Sequence, residues 1–266
     1  MSTASGFDTP AVLTETRGQI LVVTINRPAR RNALDAPTAA ALGDAFRAFD
    51  ANAGLAVAIL TGAAHSFCSG FDLKAVAEDT DPPQINEDGD GPLGVTHMLL
   101  SKPVIAAVEG HAVAGGLELA LWCDLRVAAE NAVFGVYNRR WGVPLVDGGT
   151  IRLPRLIGQS RALDLILTGR GVSGQEALAM GLVNRLTPPG AALQVAFELA
   201  ENLARVPQRG LRSDRLSAYE QWSLDWEDAF RNETRRGRQV LDSGESIAGA
   251  RRFAEGHGRH GATGDI

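Results

Sequence analysis

Apolar and polar residues alternate along residues 12–16 and again along 19–25, on either side of Arg17-Gly18. That pattern predicts two strands joined as a hairpin. After the loop 26–34, Asp35 precedes a stretch with Pro37 in its first turn, and Ala39, Leu42, Phe46 and Phe49 recur at helical spacing. These signs open a helix at Asp35 and give it one apolar face. Short apolar runs at 56–60, 104–108 and 125–128 read as buried strands, with a helical stretch over 117–123 before the last. Strands alternating with helices point to an α/β architecture. The second half is mainly helical in pattern, over 149–156, 161–167, 175–180, 191–203 and 211–254. Ser173 and Glu176 suggest a capping box, and Gly181 a helix stop.

Composition adds boundaries. The chain has 266 residues, 45% hydrophobic and 21% charged, which suits a globular fold and excludes a disordered or fibrous one. It divides into a core over 1–190, a helical region over 191–256 and a flexible tail over 257–266. The 15 residues 78–92 hold six acids and three prolines, a composition that does not pack, and they read as a mobile surface loop. A formal charge of −5 gives no basic field for nucleic acid. Cys68 and Cys123 are far apart and form no CxxC, against a disulfide framework or a cysteine-rich metal site. No apolar run reaches membrane-spanning length and no secretory leader is visible, so a soluble cytoplasmic protein is expected.

Two glycine-bearing segments carry candidate chemistry. In residues 110–120, a buried strand meets Gly115-Gly116 at the start of a helix, whose free N–H groups and positive dipole end face whatever lies above the strand. Glu118 follows Gly115 by three residues and lies one turn along the same helix. An N–H donor beside a carboxylate suits proton transfer next to a carbonyl. A tight turn with a capping glutamate is the alternative. The second segment, 65–73, follows the strand 56–60 and carries Gly70 and Phe71. If both loops end on one sheet edge, the N–H groups of Phe71 and Gly115 converge on one oxygen. Cys68 reads as a small buried thiol rather than a nucleophile. A literal GxGxxG at 169–174 lacks its preceding strand and its ribose-binding acid, so it reads as a turn plus a helix cap. His257 and His260 lack further ligands, and no metal site is expected.

Taken together, residues 26–34, 58–73, 102–135, 141–158 and 167–186 resemble the crotonase (enoyl-CoA hydratase/isomerase) superfamily. The likeness runs from about residue 10 to about 255. It implies a spiral of ββα units, a C-terminal helical region used to form a homotrimer or dimer of trimers, and a coenzyme A thioester across the sheet edge. It also implies an oxyanion hole from the backbone N–H groups of Phe71 and Gly115, and a catalytic Glu118. The position of the family's second glutamate holds Asn138, which can orient water but cannot take its proton. Asp147 is the nearest substitute acid, and a helix cap at Gly148-Gly149 is its other reading. Trp141 is expected to line the acyl pocket or simply to pack. Arg30, Arg31, Ala33, Gly70, Asp72 and Leu73 are expected along the coenzyme A.

The leading expectation is an enoyl-CoA hydratase of fatty-acid or related acyl-CoA metabolism, with coenzyme A entering as part of the substrate and no permanently bound cofactor. Because Asn138 replaces one glutamate, a double-bond isomerase or another CoA-ester lyase or hydrolase is the same-scaffold alternative. A catalytically weak CoA-binding or scaffold protein is the alternative from another class, and a dinucleotide oxidoreductase is remote.

Overall fold

The computed structural model describes residues 9–78 and 85–257; residues 79–84, within the acid-rich loop, and 258–266, with His260, lie outside the described residues. The chain opens with the predicted hairpin, β1 (Val12–Arg17) against β2 (Ile20–Ile25), turning at Gly18, which has φ +59°. Helix α1 (Ala36–Ala51) begins where Asp35 accepts the N–H of Thr38, and Ala39, Leu42, Phe46 and Phe49 are all buried. Strand β3 (Val57–Gly62) and the short helix α2 (Leu73–Ala77) follow. Strand β4 (Val104–Val108) lies where the apolar run placed it.

The middle of the chain contains strands too short for a hydrophobic period to reveal. From β4 the backbone turns at Gly110 (φ +57°) into β5 (His111–Val113) and then α3 (Gly115–Trp122). Strand β6 (Leu125–Ala129) returns to the first sheet, and β7 (Val133–Gly135) joins the second. Each pass thus puts one strand in each sheet, which is the repeating step of a ββα spiral. Helices α4 (Gly149–Ile157) and α5 (Gln159–Thr168) precede β8 (Gly171–Ser173), α6 (Gly174–Ala179) and β9 (Arg185–Thr187). The GxGxxG glycines resolve into a stop and a start: Gly169 ends α5 in left-handed conformation, and Gly174 opens α6. Ser173 caps α6 through the N–H of Glu176, but the Glu176 carboxylate turns to Arg170 and leaves the capping box half made.

The main sheet has the order β1-β2-β3-β4-β6-β9, parallel except for β1, and the smaller sheet the order β5-β7-β8. Both faces of the main sheet are covered, as a parallel sheet requires. Leu21, Val23, Ala58, Leu60, Ala106 and Val108 face the core shared with α1 and α3, and the alternate residues Ile20, Val22, Val57, Ile59, Ile105 and Ala107 face the other way. That second face is covered by α7 (Ala192–Arg205) through Ala196, Leu199 and Ala200. Helix α7 therefore belongs to the packed body. Helices α8 (Gln208–Glu220), α9 (Trp226–Asp242) and α10 (Glu245–Glu255) follow it, and Trp226, Phe230, Ile247 and Phe253 on the last two stand exposed. Among the described residues no helix is long and apolar enough to cross a membrane.

Candidate active site

Residues 67–72 run as a strip, bent at Gly70 (φ +90°), between the loop 32–34 and β5. On one side Leu34 donates to the carbonyl of Gly70 (2.8 Å) and accepts from the N–H of Asp72 (2.8 Å). Successive backbone groups of an extended chain point to opposite sides. The N–H of Phe71 therefore faces away from Leu34, and no acceptor among the described residues takes it. On the β5 side, Cys68 donates to the carbonyl of His111 (2.9 Å) and accepts from Val113 (3.1 Å). The strip is thereby stapled to the strand that leads into α3.

Helix α3 starts with Ala114 at φ +54° and ψ −127°. For an alanine this conformation costs roughly 1–3 kcal/mol and persists only where its surroundings hold it. Here the N–H of Ala114 donates to the carbonyl of Gly135 (2.8 Å), while its carbonyl accepts from Leu117 and Glu118. The N–H of Gly115, first in the helix, is left without an acceptor among the described residues. Only glycine allows the two loops to meet. A Cβ on Gly70 would stand 2.7 Å from the nitrogen of Gly115, and one on Gly116 would stand 2.0 Å from the carbonyl oxygen of Cys68. Two free N–H donors are thus held side by side.

Both donors open onto a cavity of about 190 Å³, whose walls include Phe71, Gly115, Glu118, Asn138 and Trp141, with Arg31 and Leu73 at its edge. A larger cavity of about 480 Å³ lies between the end of α3, α4 and α8, and none of Phe71, Gly115 or Glu118 lines it. The smaller cavity therefore holds the arrangement with chemical potential. Glu118 is 2% exposed. Its Oε1 accepts the N–H groups of Asp147 (2.9 Å) and Gly149 (2.8 Å), and Oε2 has no partner among the described residues. Burial, and secondly the nearby Asp147 carboxylate, push its pKa from 4.5 up to about 8. A carboxyl group so poised can give or take a proton near neutral pH. Asn138 is buried at the other side, its Nδ2 donating to the carbonyl of Val143 (2.8 Å) and its Oδ1 unpartnered. Trp141 lines the cavity yet is 69% exposed.

The remaining expected residues divide. Gly70 forms the contact with Gly115 rather than the wall. Asp72 is buried and pairs with Arg27 (3.1 Å), and Ala33 is buried with its carbonyl on the same arginine. Arg30 is half exposed beside Asp72, and Arg31 lines the cavity. Cys68 is fully buried and its thiol is pushed up to about 12, consistent with an inert packed group. The helix-cap reading of Asp147 is corrected. Its carboxylate turns away from α4 to the N–H of Leu93 (3.0 Å) and the Thr96 hydroxyl, and Glu118 caps α4 instead. Nor does Asp147 line the cavity. Thr96, Leu93 and Arg152, which surround it, carried no signal in the sequence, because they meet it only through contacts across the chain.

The sequence profile of the enoyl-CoA hydratase/isomerase family matches residues 15–259. An enoyl-CoA hydratase, EchA19, of Mycobacterium tuberculosis is 38% identical over 92% of this chain and 94% of its own. A carnitinyl-CoA dehydratase of Salmonella arizonae is 37% identical over 90% and 93%. Among solved structures, the enoyl-CoA hydratase EchA1 of Mycobacterium marinum superposes with a TM-score of 0.88 at 41% identity, covering 93% of this chain and 96% of that one. Sequence, fold and the paired glycine loops lead to one conclusion: the chain belongs to the enoyl-CoA hydratase/isomerase family of the crotonase superfamily.

Proposed function

We propose that the cavity hydrates a 2-enoyl-CoA, the thioester oxygen lying against the N–H groups of Phe71 and Gly115 and Glu118 moving the proton. The observation that carries this reading is the meeting of two unpartnered N–H donors and one buried carboxyl group in a single cavity. The α-proton of a thioester is weakly acidic, and donors fixed in place stabilise the enolate without reorganising; one such donor is worth roughly 10²–10³ in rate.

With one carboxyl group the steps balance as follows. Ionised Glu118 takes a proton from water as the water oxygen bonds to the β-carbon, and the double-bond electrons move onto the thioester oxygen. The enolate collapses and its α-carbon takes the proton back from Glu118. Asn138, whose Oδ1 has no partner among the described residues, holds the water from the far side. Nothing in these steps calls for a permanently bound cofactor, and coenzyme A enters with the substrate. Arg31 at the cavity edge, and Arg30 near it, supply positive charge for its phosphates. A coenzyme A substrate also fits the cytoplasmic location expected from the sequence. The exposed aromatic residues of α9 and α10 fit a homotrimer or dimer of trimers.

Asn138 favours one second reading. A double-bond isomerase moves a proton between two carbons of the substrate and needs only one carboxyl base, which Glu118 provides. Crotonyl-CoA, longer and aromatic enoyl-CoAs and carnitinyl-CoA, incubated with the protein and followed by mass spectrometry, separate the readings. Addition or loss of one water supports hydration chemistry, and a shifted double bond without mass change supports isomerisation. Free coenzyme A with every substrate, or no change with any, overturns the proposal.

A further inference from the structure

Asp147 occupies neither of the places its sequence position offered. It is fully buried, outside the cavity, with Oδ1 on the N–H of Leu93 (3.0 Å) and the Thr96 hydroxyl, and with Oδ2 unpartnered among the described residues. Arg152 lies close by but donates to main-chain oxygens, those of Asp147 (3.0 Å) and Thr96 (2.6 Å), so no ion pair neutralises the carboxylate among the described residues. A buried charge with one bare oxygen is costly to a fold. Pinning residues 93–96 does not demand it, because an amide oxygen would accept the same two hydrogen bonds. The charge acts instead on Glu118, whose Oε1 is held by the main-chain N–H of Asp147 itself (2.9 Å).

We propose that Asp147 is a positioning residue of the reaction: its main chain aims Glu118, and its unneutralised carboxylate, locked in place by Leu93 and Thr96, strengthens Glu118 as a base. The inference rests on reading Glu118 as the proton-transfer group. The two N–H donors on Oε1 favour the ionised form and by themselves weaken the base. Burial acts the other way, and secondly so does the Asp147 charge, and the balance lies well above the ordinary carboxylate range; burial raises the Asp147 carboxyl as well, while the Thr96 hydroxyl and the Leu93 N–H favour its ionised form. The need follows from Asn138. Without a second carboxylate at that position, Glu118 alone must take a proton from water, and a more basic group does so more readily. The other ionisable groups facing the pair are Arg152 from α4, His97 (Nε2 3.2 Å from the carbonyl of Val146) and the neutral Cys68 thiol.

The test is the pH profile of kcat/KM for crotonyl-CoA in Asp147→Asn, which keeps the shape and the Oδ1 acceptor and removes only the charge. The acid limb is expected to move to lower pH by about one unit or more. Plateau turnover falls with it, while affinity for free coenzyme A stays within about twofold of wild type, because Asp147 does not reach that ligand. Thr96→Ser, which keeps the hydroxyl on the carboxylate and so keeps the charge, is expected to leave the limb in place. An unmoved limb in folded Asp147→Asn, or an equal movement in Thr96→Ser, overturns the proposal. Should Asp147→Asn not fold, a carboxyl titration of the wild-type protein by ¹³C NMR decides. The Glu118 signal, assigned by its loss in Glu118→Gln, must titrate well above 4.5 and only after the other buried carboxyl of the pair has ionised; a midpoint at that ordinary value, or a second buried carboxyl still protonated through the Glu118 midpoint, removes the proposal. Normal turnover in Glu118→Gln would instead defeat the functional reading, and the order in which the two buried carboxyls ionise would still judge the coupling.

Discussion

Gly70→Ala tests whether the contact between the two glycine loops makes the catalytic donors. Gly70 has φ +90°, where a side chain costs about 1–2 kcal/mol. Its Cβ would also stand 2.7 Å from the nitrogen of Gly115 and 3.1 Å from the Cβ of Ala114. Neither neighbour is the free end of a flexible side chain, so the strip 67–72 and the start of α3 must part by several tenths of an ångström. The donors of Phe71 and Gly115 then no longer converge. Loss of one such donor costs roughly 10²–10³ in turnover. Gly18→Ala is the control: it carries a similar strain at φ +59° but has nothing within 4 Å of its Cβ and lies in the β1–β2 turn, far from the cavity. Gly18→Ala should lose about 1–2 kcal/mol of stability, a fall in Tm of about 2–8 °C for a domain of this size, and Gly70→Ala about 1–3 kcal/mol more from the clash. Only Gly70→Ala should lose turnover of crotonyl-CoA by about 10² or more. Gly70→Ala with turnover within a few-fold of Gly18→Ala would refute the oxyanion assignment.

Four further outcomes are expected. Glu118→Gln should lower turnover by at least about 10² with coenzyme A still bound, read by steady-state kinetics beside calorimetry. The same variant should alter stability with pH. The folded-state pKa of Glu118 is raised from 4.5 to about 8, so the folded protein holds a proton that the unfolded chain releases, and wild-type stability from this group falls as pH rises through that window. Melting scans should therefore find Glu118→Gln gaining on wild type from about pH 5 to about pH 8, and a constant gap would contradict the buried, raised carboxyl. Asn138→Glu should raise hydration relative to isomerisation, measured as the product ratio by mass spectrometry, at some cost in Tm because the bond to Val143 is lost. Calorimetry should detect binding of acetyl-CoA and none of NAD, since Gly169 and Gly174 bound β8 and α6 without forming a phosphate loop.

Hydrophobic period was a sound guide wherever burial is local and one-sided. The helix α1 face follows from spacing, because a helix that covers one core writes that core into its own period, while β2 and β4, buried on both faces, show as short apolar runs. Strands β5, β7 and β8 escaped. Each has three residues, too few for any period, and they are held by pairing with partners distant in the chain. The same divide runs through the site. Gly70, Gly115, Gly116 and Glu118 stand out in the sequence because glycine where chains must touch, and a carboxylate one helical turn from a free N–H, are local patterns. Asp147 stood out as a candidate acid, but its place did not, since its environment comes from Leu93 and Thr96, some fifty residues away.

The sequence by itself determined the α/β class and the two strand-end loops, for each is a property of neighbouring residues or of spacing along one element, and its resemblance to the crotonase family marked the departure at Asn138. Only the tertiary structure decided that Glu118, not Asp147, caps α4, and that the Asp147 carboxylate is buried behind Glu118 rather than open to the cavity. The reason is physical. A carboxyl group's direction, partners and basicity depend on which distant donors reach it and how much water is excluded, and neither quantity is written in the residues beside it.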